Sequence, residues 1–369
     1  METNGIKHGR LMSLDALRGF DMLFIMGLSE WIVAVCGLFP ACGATEWLTL
    51  QMRHVQWHGL THHDTIFPLF LFLAGLSFPF SIAKQRAGGK SQKDIYLKIL
   101  RRGLTLVLLG VVYNGFFRLD FPDLRYASVL GRIGLAWMFA ALLFMRFRLR
   151  TCVALSAVVL VGYWLMMWLI PSTSDPYSFE GNLAGMVDRM LLPGRMNDGT
   201  FDPEGILSTL PAIVTALLGM FTGRWVQMPD ERFSGNQKAV YMLAGAVLLF
   251  LAGWAGSCGF PLNKKLWTST FVCVVGAYSL LLFAVFYWII DVKGHYRRSF
   301  VFRVVGLNSI TIYLAQRIIP FRQVSDFFLG GLAGKCPEVI ATLIQATGYM
   351  TVCWLFLYFL YTKKVFLKV

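Results

Sequence analysis

The sequence predicts an all-α fold, a polytopic integral membrane bundle of about ten or eleven transmembrane helices. Hydrophobic residues make up 56% of the 369 residues and charged residues only 15%, whereas a soluble domain carries about a quarter charged residues. The mean hydropathy is +0.60, and apolar runs long enough to cross a bilayer repeat along the chain. Because lipid offers no partner for backbone N–H and C=O groups, such runs must form helices or closed barrels, and their length favours helices.

About ten apolar runs predict the successive spans. They fall near residues 13–38, 64–83, 97–113, 127–145, 151–170, 206–226, 239–257, 267–290, 300–318 and 338–361. Residues 321–334 are apolar but short and rich in glycine, which favours a re-entrant or interfacial segment and leaves a different span count open. No linker of disordered composition interrupts the series, so residues 1–369 are predicted to form one transmembrane domain. We expect no cleaved signal peptide, because no small-residue cleavage site follows the polar start.

The basic residues are concentrated in alternate loops. Lysine and arginine number 34 against 20 acidic residues, a formal net charge of +14. The basic loops lie near 84–102, 146–150, 293–303 and 363–368, which is the positive-inside pattern of a membrane protein and not a nucleic-acid-binding stripe. We therefore expect a bacterial inner membrane with both termini cytoplasmic, the lipid bilayer as a partner and no nucleic acid. The other loops are expected to face outward, at 39–63, 114–126, 171–205, 258–266 and 319–337.

One outward loop concentrates the histidines. The segment WLTLQMRHVQWHGLTHHDTIFP, residues 47–68, contains His54, His58, His62, His63 and Asp64. Imidazole is the side chain best suited to exchange a proton near neutral pH. His54 is the candidate general base or transient nucleophile, and Asp64 is the carboxylate that would orient its ring.

Two other interpretations of this segment stay open. A histidine in a surface loop is often bonded only to water. His54, His58 and His62 also recur at helical spacing, which would suit a metal site. Spacing alone is a weak signal, so no metal is expected.

The first span carries three charges, Asp15, Arg18 and Asp21, in SLDALRGFD. Charges within a span are costly and normally face a polar interior or a partner. They predict an anion site at the inner mouth that would suit a phosphorylated cofactor. The alternative is that Arg18 reaches the cytoplasmic interface and is neutralised by its two carboxylates.

Polar residues near the outer face are candidates for binding an acceptor. Asp202 and Glu204, in FDPEGIL, fit the start of a helix, with Asp202 as the N-cap, but their topology also brings them to the face that carries His54. Asn263, Lys264 and Lys265 are expected on that face too. Two polar residues lie inside predicted spans, Arg132 in the fourth and Asn308 in the ninth. Gly219 and Gly223 form a GxxxG that predicts close helix packing.

The chain resembles the heparan-α-glucosaminide N-acetyltransferase family, including its bacterial members of unassigned substrate. The resemblance rests on RLMSLDALRGFDML, RHVQWHGLTHHDTIFPLFLFLAGLS, SVLGRIGLAW, FDPEGILSTLPAIVTALLG, LNKKLWTSTFV, DVKG and GLNSITIYL, in that order between about residue 11 and about residue 315. In the family the catalytic histidine precedes Trp-Asn-Gly-Leu-Thr, and His54 corresponds to it. This chain has His58 in place of that Asn, and Ser29 where lysosomal members have an Asn.

The resemblance implies transfer of acetyl from cytoplasmic acetyl-CoA to a terminal glucosamine, or another amino-sugar or glycan acceptor, beyond the membrane. It also suggests a homodimer. The two departures from the family pattern, His58 and Ser29, leave open which acceptor this protein uses. Rival functions are an O-acyltransferase of envelope polysaccharide and a transporter or exporter without acyl chemistry, which would use the charges of the first span.

These expectations define a set of candidate site residues. The catalytic residues are His54 and Asp64. The predicted acetyl-CoA-binding residues are Arg18, Asp15, Arg132, Asn308, Arg101, Arg102 and Arg303. The predicted acceptor-binding residues are Trp57, His58, Asp202, Glu204, Asn263 and Lys264.

Overall fold

A computed structural model describes residues 11–170 and 175–367, and these residues form helices and no strand. The helices are α1 (Met12–Leu23), α2 (Ser29–Cys36), α3 (Gly43–Gln51), α4 (His62–Ala87), α5 (Gln92–Tyr113), α6 (Val129–Arg146), α7 (Leu149–Leu169), α8 (Leu183–Leu191), α9 (Thr209–Val226), α10 (Gly235–Gly256), α11 (Ser269–Phe286), α12 (Phe300–Leu307), α13 (Ser309–Ile318), α14 (Phe321–Ala333) and α15 (Glu338–Thr362). Short π-helical segments, Phe24–Leu28 and Tyr287–Val292, continue α1 and α11.

Eight helices of the described chain are long and apolar enough to cross a membrane. They are Met12–Cys36, His62–Ala87, Val129–Arg146, Leu149–Leu169, Thr209–Val226, Gly235–Gly256, Ser269–Val292 and Glu338–Thr362. The all-α, polytopic membrane fold is therefore confirmed. The two remaining predicted spans, 97–113 and 300–318, are also helical, but neither is a continuous apolar span.

The helix over the predicted span 97–113 begins five residues earlier, at Gln92, and its first half is rich in charge. The prediction of a single helix over residues 300–318 is wrong. It is divided between α12 and α13 at Asn308, whose backbone leaves the helical region at φ −125° and ψ 30°. The Asn308 amide donates to the Val365 carbonyl oxygen at 3.0 Å. The helix is therefore interrupted at Asn308, whose side-chain amide finds its hydrogen-bond partner far along the chain.

The helix α14 accounts for the short glycine-rich run near residues 321–334. Its 13 residues span about 20 Å at 1.5 Å per residue, which is less than the hydrocarbon thickness of about 30 Å. It packs against α15, where Gly348 leaves room for the side chains of Ser325 and Leu329. The arrangement agrees with a short interfacial or re-entrant segment and not with a span.

Glycine sets how closely α4 approaches α9 at the centre of the bundle. A Cβ on Gly75 would lie 2.1 Å from the Ala216 carbonyl oxygen, and one on Gly219 would lie 2.0 Å from the Phe72 carbonyl oxygen. The backbones therefore touch, as small residues permit between membrane helices. The GxxxG of α9 serves packing, as predicted.

The start of α1 is held by the DVKG motif. Asp291 accepts hydrogen bonds from the backbone N–H of Met12 at 3.2 Å and of Ser13 at 3.3 Å. These donors would otherwise be unsatisfied at a helix start. Further along, Gly19 packs against the backbone of α12 at Phe302. The motif and the glycine fix the inner half of α1 against its neighbours.

At the opposite end of the bundle, five loops contact one another. The Gly59 N–H donates to the Leu262 carbonyl oxygen at 2.8 Å, and the Trp57 indole donates to the Tyr177 carbonyl oxygen at 2.8 Å. Arg125 pairs with Asp202. Lys265 also pairs with Asp198, so the loops that follow α3, α5, α7, α8 and α10 form one continuous face, which we call the loop face.

Candidate active site

The loop face is anchored by the first turn of α4, where Thr61 is the N-cap and Asp64 the third helical residue. The Thr61 hydroxyl donates to Asp64 Oδ2 at 2.8 Å, and the backbone N–H groups of Val55 and Thr61 reach the same oxygen at 3.3 Å. This is a capping box, which satisfies N–H groups left open at a helix start. The sequence carries its signature in Thr61–Asp64, although Thr61 was not among the predicted site residues.

The second oxygen of that carboxylate holds His54. His54 Nδ1 lies 2.7 Å from Asp64 Oδ1. An ionised carboxylate only accepts hydrogen bonds, so Nδ1 carries the proton and the lone pair is on Nε2. The Asp64 side chain is 1% exposed and the His54 side chain 55% exposed. The buried Asp64 carboxylate therefore holds the imidazole so that its basic nitrogen, Nε2, lies at the surface.

Lys264, from the loop before α11, completes this group. Its Nζ lies 3.3 Å from Asp64 Oδ1 and 3.1 Å from His54 Nδ1. Burial lowers the pKa of the Lys264 ammonium, against the opposing attraction of Asp64. Its neighbour Asn263 is fully buried, and its amide lies 3.3 Å from His58 Nδ1. Burial also lowers the pKa of His58.

The remaining histidines of this segment, His63 and His62, contact different partners. The His63 ring packs 4.4 Å from the His54 ring, and His63 Nδ1 shares a 3.0 Å hydrogen bond with the Ser29 hydroxyl. His62 packs against Phe24 at 4.5 Å. In residues 11–170 and 175–367, no three or more His, Cys, Asp or Glu side chains are grouped to hold a metal ion. The histidines of the alternative metal site, His54, His58 and His62, do not converge.

The two carboxylates of FDPEGIL bind Arg125, a residue that the sequence did not single out. Asp202 is fully buried and accepts from Arg125 Nε at 2.8 Å and Nη2 at 2.7 Å, and from the Asn197 N–H at 3.1 Å. Glu204 pairs with the same guanidinium. Nearby, Trp57 packs against Phe179 at 5.0 Å between ring centroids. These contacts hold the loop face together.

Arg132 lies below this cluster and is 2% exposed. It donates to the Ser208 hydroxyl and, at 3.3 Å, to the Gly205 carbonyl oxygen. Its guanidinium sits 5.0 Å from the centre of the Trp267 ring. Trp267 has φ 51°, a left-handed conformation that is rare for a bulky residue. Arg132 thus braces the loop that carries Lys264.

A cavity of about 390 Å³ runs between α1, α4, α5, α6 and the α12–α13 break. We call it the inner cavity. Asp15, Arg18 and Arg102 line it, and Arg18 Nη1 lies 3.7 Å from Asp15 Oδ1. Arg102 also stacks over Trp137 at 4.4 Å. Three of the predicted cofactor-binding residues therefore share one cavity.

The other predicted cofactor-binding residues lie elsewhere. Arg101 is on the exposed side of α5, and Arg303 donates to the Tyr296 carbonyl oxygen at 3.4 Å. Asn308 is turned to Val365, although the adjacent Leu307 and Ser309 line the inner cavity.

The inner cavity follows one face of α4 toward the histidines. Phe67, Phe70, Ala74 and Ser77 line it at helical spacing, and Phe80 extends the row. From Phe67 to Phe80 the row covers about 20 Å at 1.5 Å per residue. His63 is four residues before Phe67 and therefore on the same face, one turn nearer the loop face. The cavity is thus directed at the His54–His63 pair.

The fold and this site define a multi-pass helical membrane protein that has a hydrogen-bonded histidine–aspartate pair at one end of the bundle and a cavity with charged side chains leading toward it. The family described as "Heparan-alpha-glucosaminide N-acetyltransferase, catalytic" matches residues 10–255, about two thirds of the sequence. The chain belongs to this family.

Two curated relatives bear the name heparan-alpha-glucosaminide N-acetyltransferase. The human protein is 25% identical over 420 residues, which cover 98% of this chain and 60% of the relative. The mouse protein is 24% identical over 425 residues, which cover 100% of this chain and 62% of the relative. The chain therefore spans about three fifths of the length of the curated relatives it matches.

Proposed function

We propose that this protein is a transmembrane acetyltransferase, which moves acetyl from cytoplasmic acetyl-CoA to an amino sugar on the far side of the membrane. The observation that carries the proposal is the alignment of the inner cavity with the His54–His63 pair along one face of α4. A donor and a base that belong to opposite faces of a bilayer need such a connection. The family membership supports the acyltransferase class.

The orientation rests on the distribution of charge. The basic loops predict that α1 begins in the cytoplasm, so the loop face is outside. Two free, exposed cysteines, Cys42 and Cys258, lie in loops assigned to the outside. An impermeant maleimide added to intact cells should label both, and a variant with serine at both positions is the control. Labelling only after lysis would reverse the orientation.

The residues of the inner cavity fit the donor substrate. Arg18 and Arg102 supply guanidinium groups, which pair well with phosphates, and the wall toward His63 is mostly apolar. A slender acyl-bearing arm suits such a passage. The phosphorylated nucleotide suits the charged inner end, where Arg18 and Asp15 lie close together.

His54 supplies the chemistry through Nε2, since Nδ1 is taken by Asp64. In one route Nε2 attacks the thioester carbonyl, the C–S bond breaks, and the amine then takes the acetyl from the imidazole. In the other route Nε2 removes a proton from the amine, which attacks the thioester directly. Both routes give an amide and free coenzyme A thiol, because the proton lost by the amine goes to the leaving thiolate, and both need the same nitrogen.

The test is acetyl transfer by the purified full-length protein in lipid nanodiscs. With radiolabelled acetyl-CoA and glucosamine, the wild type should form N-acetylglucosamine and release coenzyme A. His54→Ala should abolish transfer while its melting temperature and acetyl-CoA binding stay unchanged. His295→Ala is the matched control, because His295 is exposed on a basic loop away from the site. Undiminished turnover by folded His54→Ala would refute the role of His54.

The same assay separates the neighbouring functions. Transfer to N-acetylglucosamine but not to glucosamine would identify a hydroxyl acceptor and an O-acyltransferase. Substrate flux without consumption of acetyl-CoA would identify a transporter. The homodimer stays a prediction, which the molecular mass of the nanodisc-embedded protein tests.

A further inference from the structure

A second concavity, of about 820 Å³, opens beside the histidines. We call it the outer groove. It lies between the π-helical turn of the first span, α2, the loop after α3, and the α14–α15 hairpin. Its polar lining consists of Ser29, Glu30, Arg53, His63, Arg322, Glu338 and Thr342. None of the predicted acceptor-binding residues is among them.

The outer groove reaches the catalytic pair through His63. His63 lines the groove, packs 4.4 Å from the His54 ring and is held by Ser29 at 3.0 Å. Arg53, also in the lining, precedes His54 directly. The Arg53 carbonyl oxygen lies 2.6 Å from the Thr61 hydroxyl oxygen, whose proton is shared between this carbonyl and Asp64, so this backbone is held at the start of α4.

The outer groove also abuts the inner cavity. Ile25 lines both, and it belongs to the π-helical turn Phe24–Leu28, in which Gly27 has φ 109°. A residue with a side chain is strained in that conformation. The turn redirects the first span, and the Ile25 side chain faces both concavities. A donor in the inner cavity and an acceptor in the outer groove would meet beside His63.

The lining suits a polyhydroxylated amine. Glu30 and Arg322 form an exposed ion pair at 3.2 Å between α2 and α14. Glu338 and Arg53 add a second carboxylate and a second guanidinium. Carboxylates accept from hydroxyl and ammonium groups, and guanidiniums donate to hydroxyl and ring oxygens. By contrast, Asp202 on the loop face has its oxygens committed to Arg125 and to backbone N–H groups.

We infer that the outer groove is the acceptor site: it binds the amino sugar through Glu30, Arg322, Arg53 and Glu338, and His63 positions the amine at His54. This inference rests on the proposed acetyl transfer. It assigns specificity to the α14–α15 hairpin, a part of the chain that lies beyond the residues matched by the family.

The kinetic test compares Glu30→Gln and Arg322→Ala with a matched control. Each variant should raise the KM for glucosamine about tenfold, as expected for loss of a charged hydrogen bond, and leave the KM for acetyl-CoA unchanged. The control is Arg195→Ala, because Arg195 forms a similarly exposed ion pair with Asp123 elsewhere on the loop face. Unchanged KM values for glucosamine in both groove variants would overturn the inference.

A labelling test does not depend on turnover. In a background with serine at Cys42, Cys258 and Cys336, Val339→Cys places one thiol in the groove. Glucosamine should slow its reaction with a maleimide, and labelling by a bulky maleimide should block transfer without preventing acetyl-CoA binding. Absence of protection would overturn the groove assignment. If the wild type transfers no acetyl yet glucosamine protects this thiol, the proposed function fails and the binding site stands.

Discussion

Two buried carboxylates organise the loop face, and they use their hydrogen bonds differently. Asp64 binds the cap of α4 with one oxygen and His54 with the other, and the imidazole beyond it is half exposed. Asp202 gives both oxygens to Arg125 and to backbone N–H groups. The first arrangement ends in a nitrogen, His54 Nε2, to which no described residue hydrogen-bonds. The second ends in a closed ion pair.

The difference separates a reactive centre from a structural one. Both carboxylates are desolvated and both face positive or proton-donating partners, so burial and charge alone do not distinguish them. What distinguishes them is unused hydrogen-bonding capacity at an accessible atom. By this criterion we expect Asp64 to serve turnover and Asp202 to serve the stability of the loop face, and four substitutions test that expectation.

The largest expected effect is that of Asp64→Asn on turnover. The amide no longer favours the proton on His54 Nδ1, so Nε2 loses its role as base or nucleophile, and kcat should fall about a thousandfold. Acetyl-transfer kinetics in nanodiscs measure this. Asp123→Asn, an exposed aspartate of the same face, should retain full activity. A D64N enzyme with near-normal kcat would contradict the reactive role of the pair.

The second effect is that of Asp202→Asn on stability. Breaking a buried ion pair leaves the Arg125 charge poorly compensated and should cost about 3 kcal/mol of unfolding free energy. Thermal unfolding in detergent measures the loss, and the kcat per folded molecule should be unchanged. Asp198→Asn removes the partner of Lys265 in an ion pair that is more exposed than the one between Arg125 and Asp202, and it should cost less, about 1 kcal/mol or below. A selective loss of kcat in D202N would instead move Asp202 to the reactive centre.

A smaller effect is expected at Ser29, which holds His63. Ser29→Ala removes one neutral hydrogen bond of 3.0 Å, worth about 1 kcal/mol, so kcat should fall about fivefold with no change in acetyl-CoA binding. Ser29→Thr keeps a hydroxyl and should retain most of the activity. Equal rates in the two variants would show that this hydrogen bond does not position the ring.

The smallest effect concerns Asp188, beside the closed centre. Its Oδ1 accepts from the Ile206 N–H at 2.8 Å, while its Oδ2 has no hydrogen-bond partner in the described residues. Burial raises the pKa of Asp188 to about 6. The folded state therefore holds a proton that the unfolded state releases near pH 4, so stability present at low pH is lost as pH rises through 6. From pH 5 to 7 the loss is about 1 kcal/mol.

Asp188→Asn tests this assignment, because the amide retains an acceptor for Ile206 and does not titrate. Unfolding followed at pH 5, 6 and 7 should show a smaller decline in the variant than in the wild type. Parallel declines would place the titrating group elsewhere.

Local features of the sequence were sufficient for the fold class and for the contact between His54 and Asp64. The hydropathy of a span can be read from that span alone. His54 and Asp64 are only ten positions apart, in the loop before α4 and in its first turn, so little three-dimensional information was needed. Their catalytic roles stay predictions. Arg18 and Arg102 were both predicted to bind the cofactor because of their charge, and the structure shows that they line the same cavity.

Features that depend on distant partners were not predictable in the same way. The break at Asn308 depends on Val365, 57 residues away, whereas the local pattern favours a continuous helix. Arg125 and Asp202 are 77 positions apart, and Asp202 alone fits a simple N-cap. The outer groove needs α2 packed against α14 and α15, which no single segment encodes.

The hydroxyl of Thr61 has a consequence for how the protein matures. The bonds that begin α4 are also the bonds that fix the Asp64 carboxylate, and that carboxylate aims His54. We therefore expect the formation of this helix and the orientation of the His54 ring to occur together. A substitution that disrupts this turn, such as Thr61→Ala, should lower the yield of folded protein and the turnover at the same time.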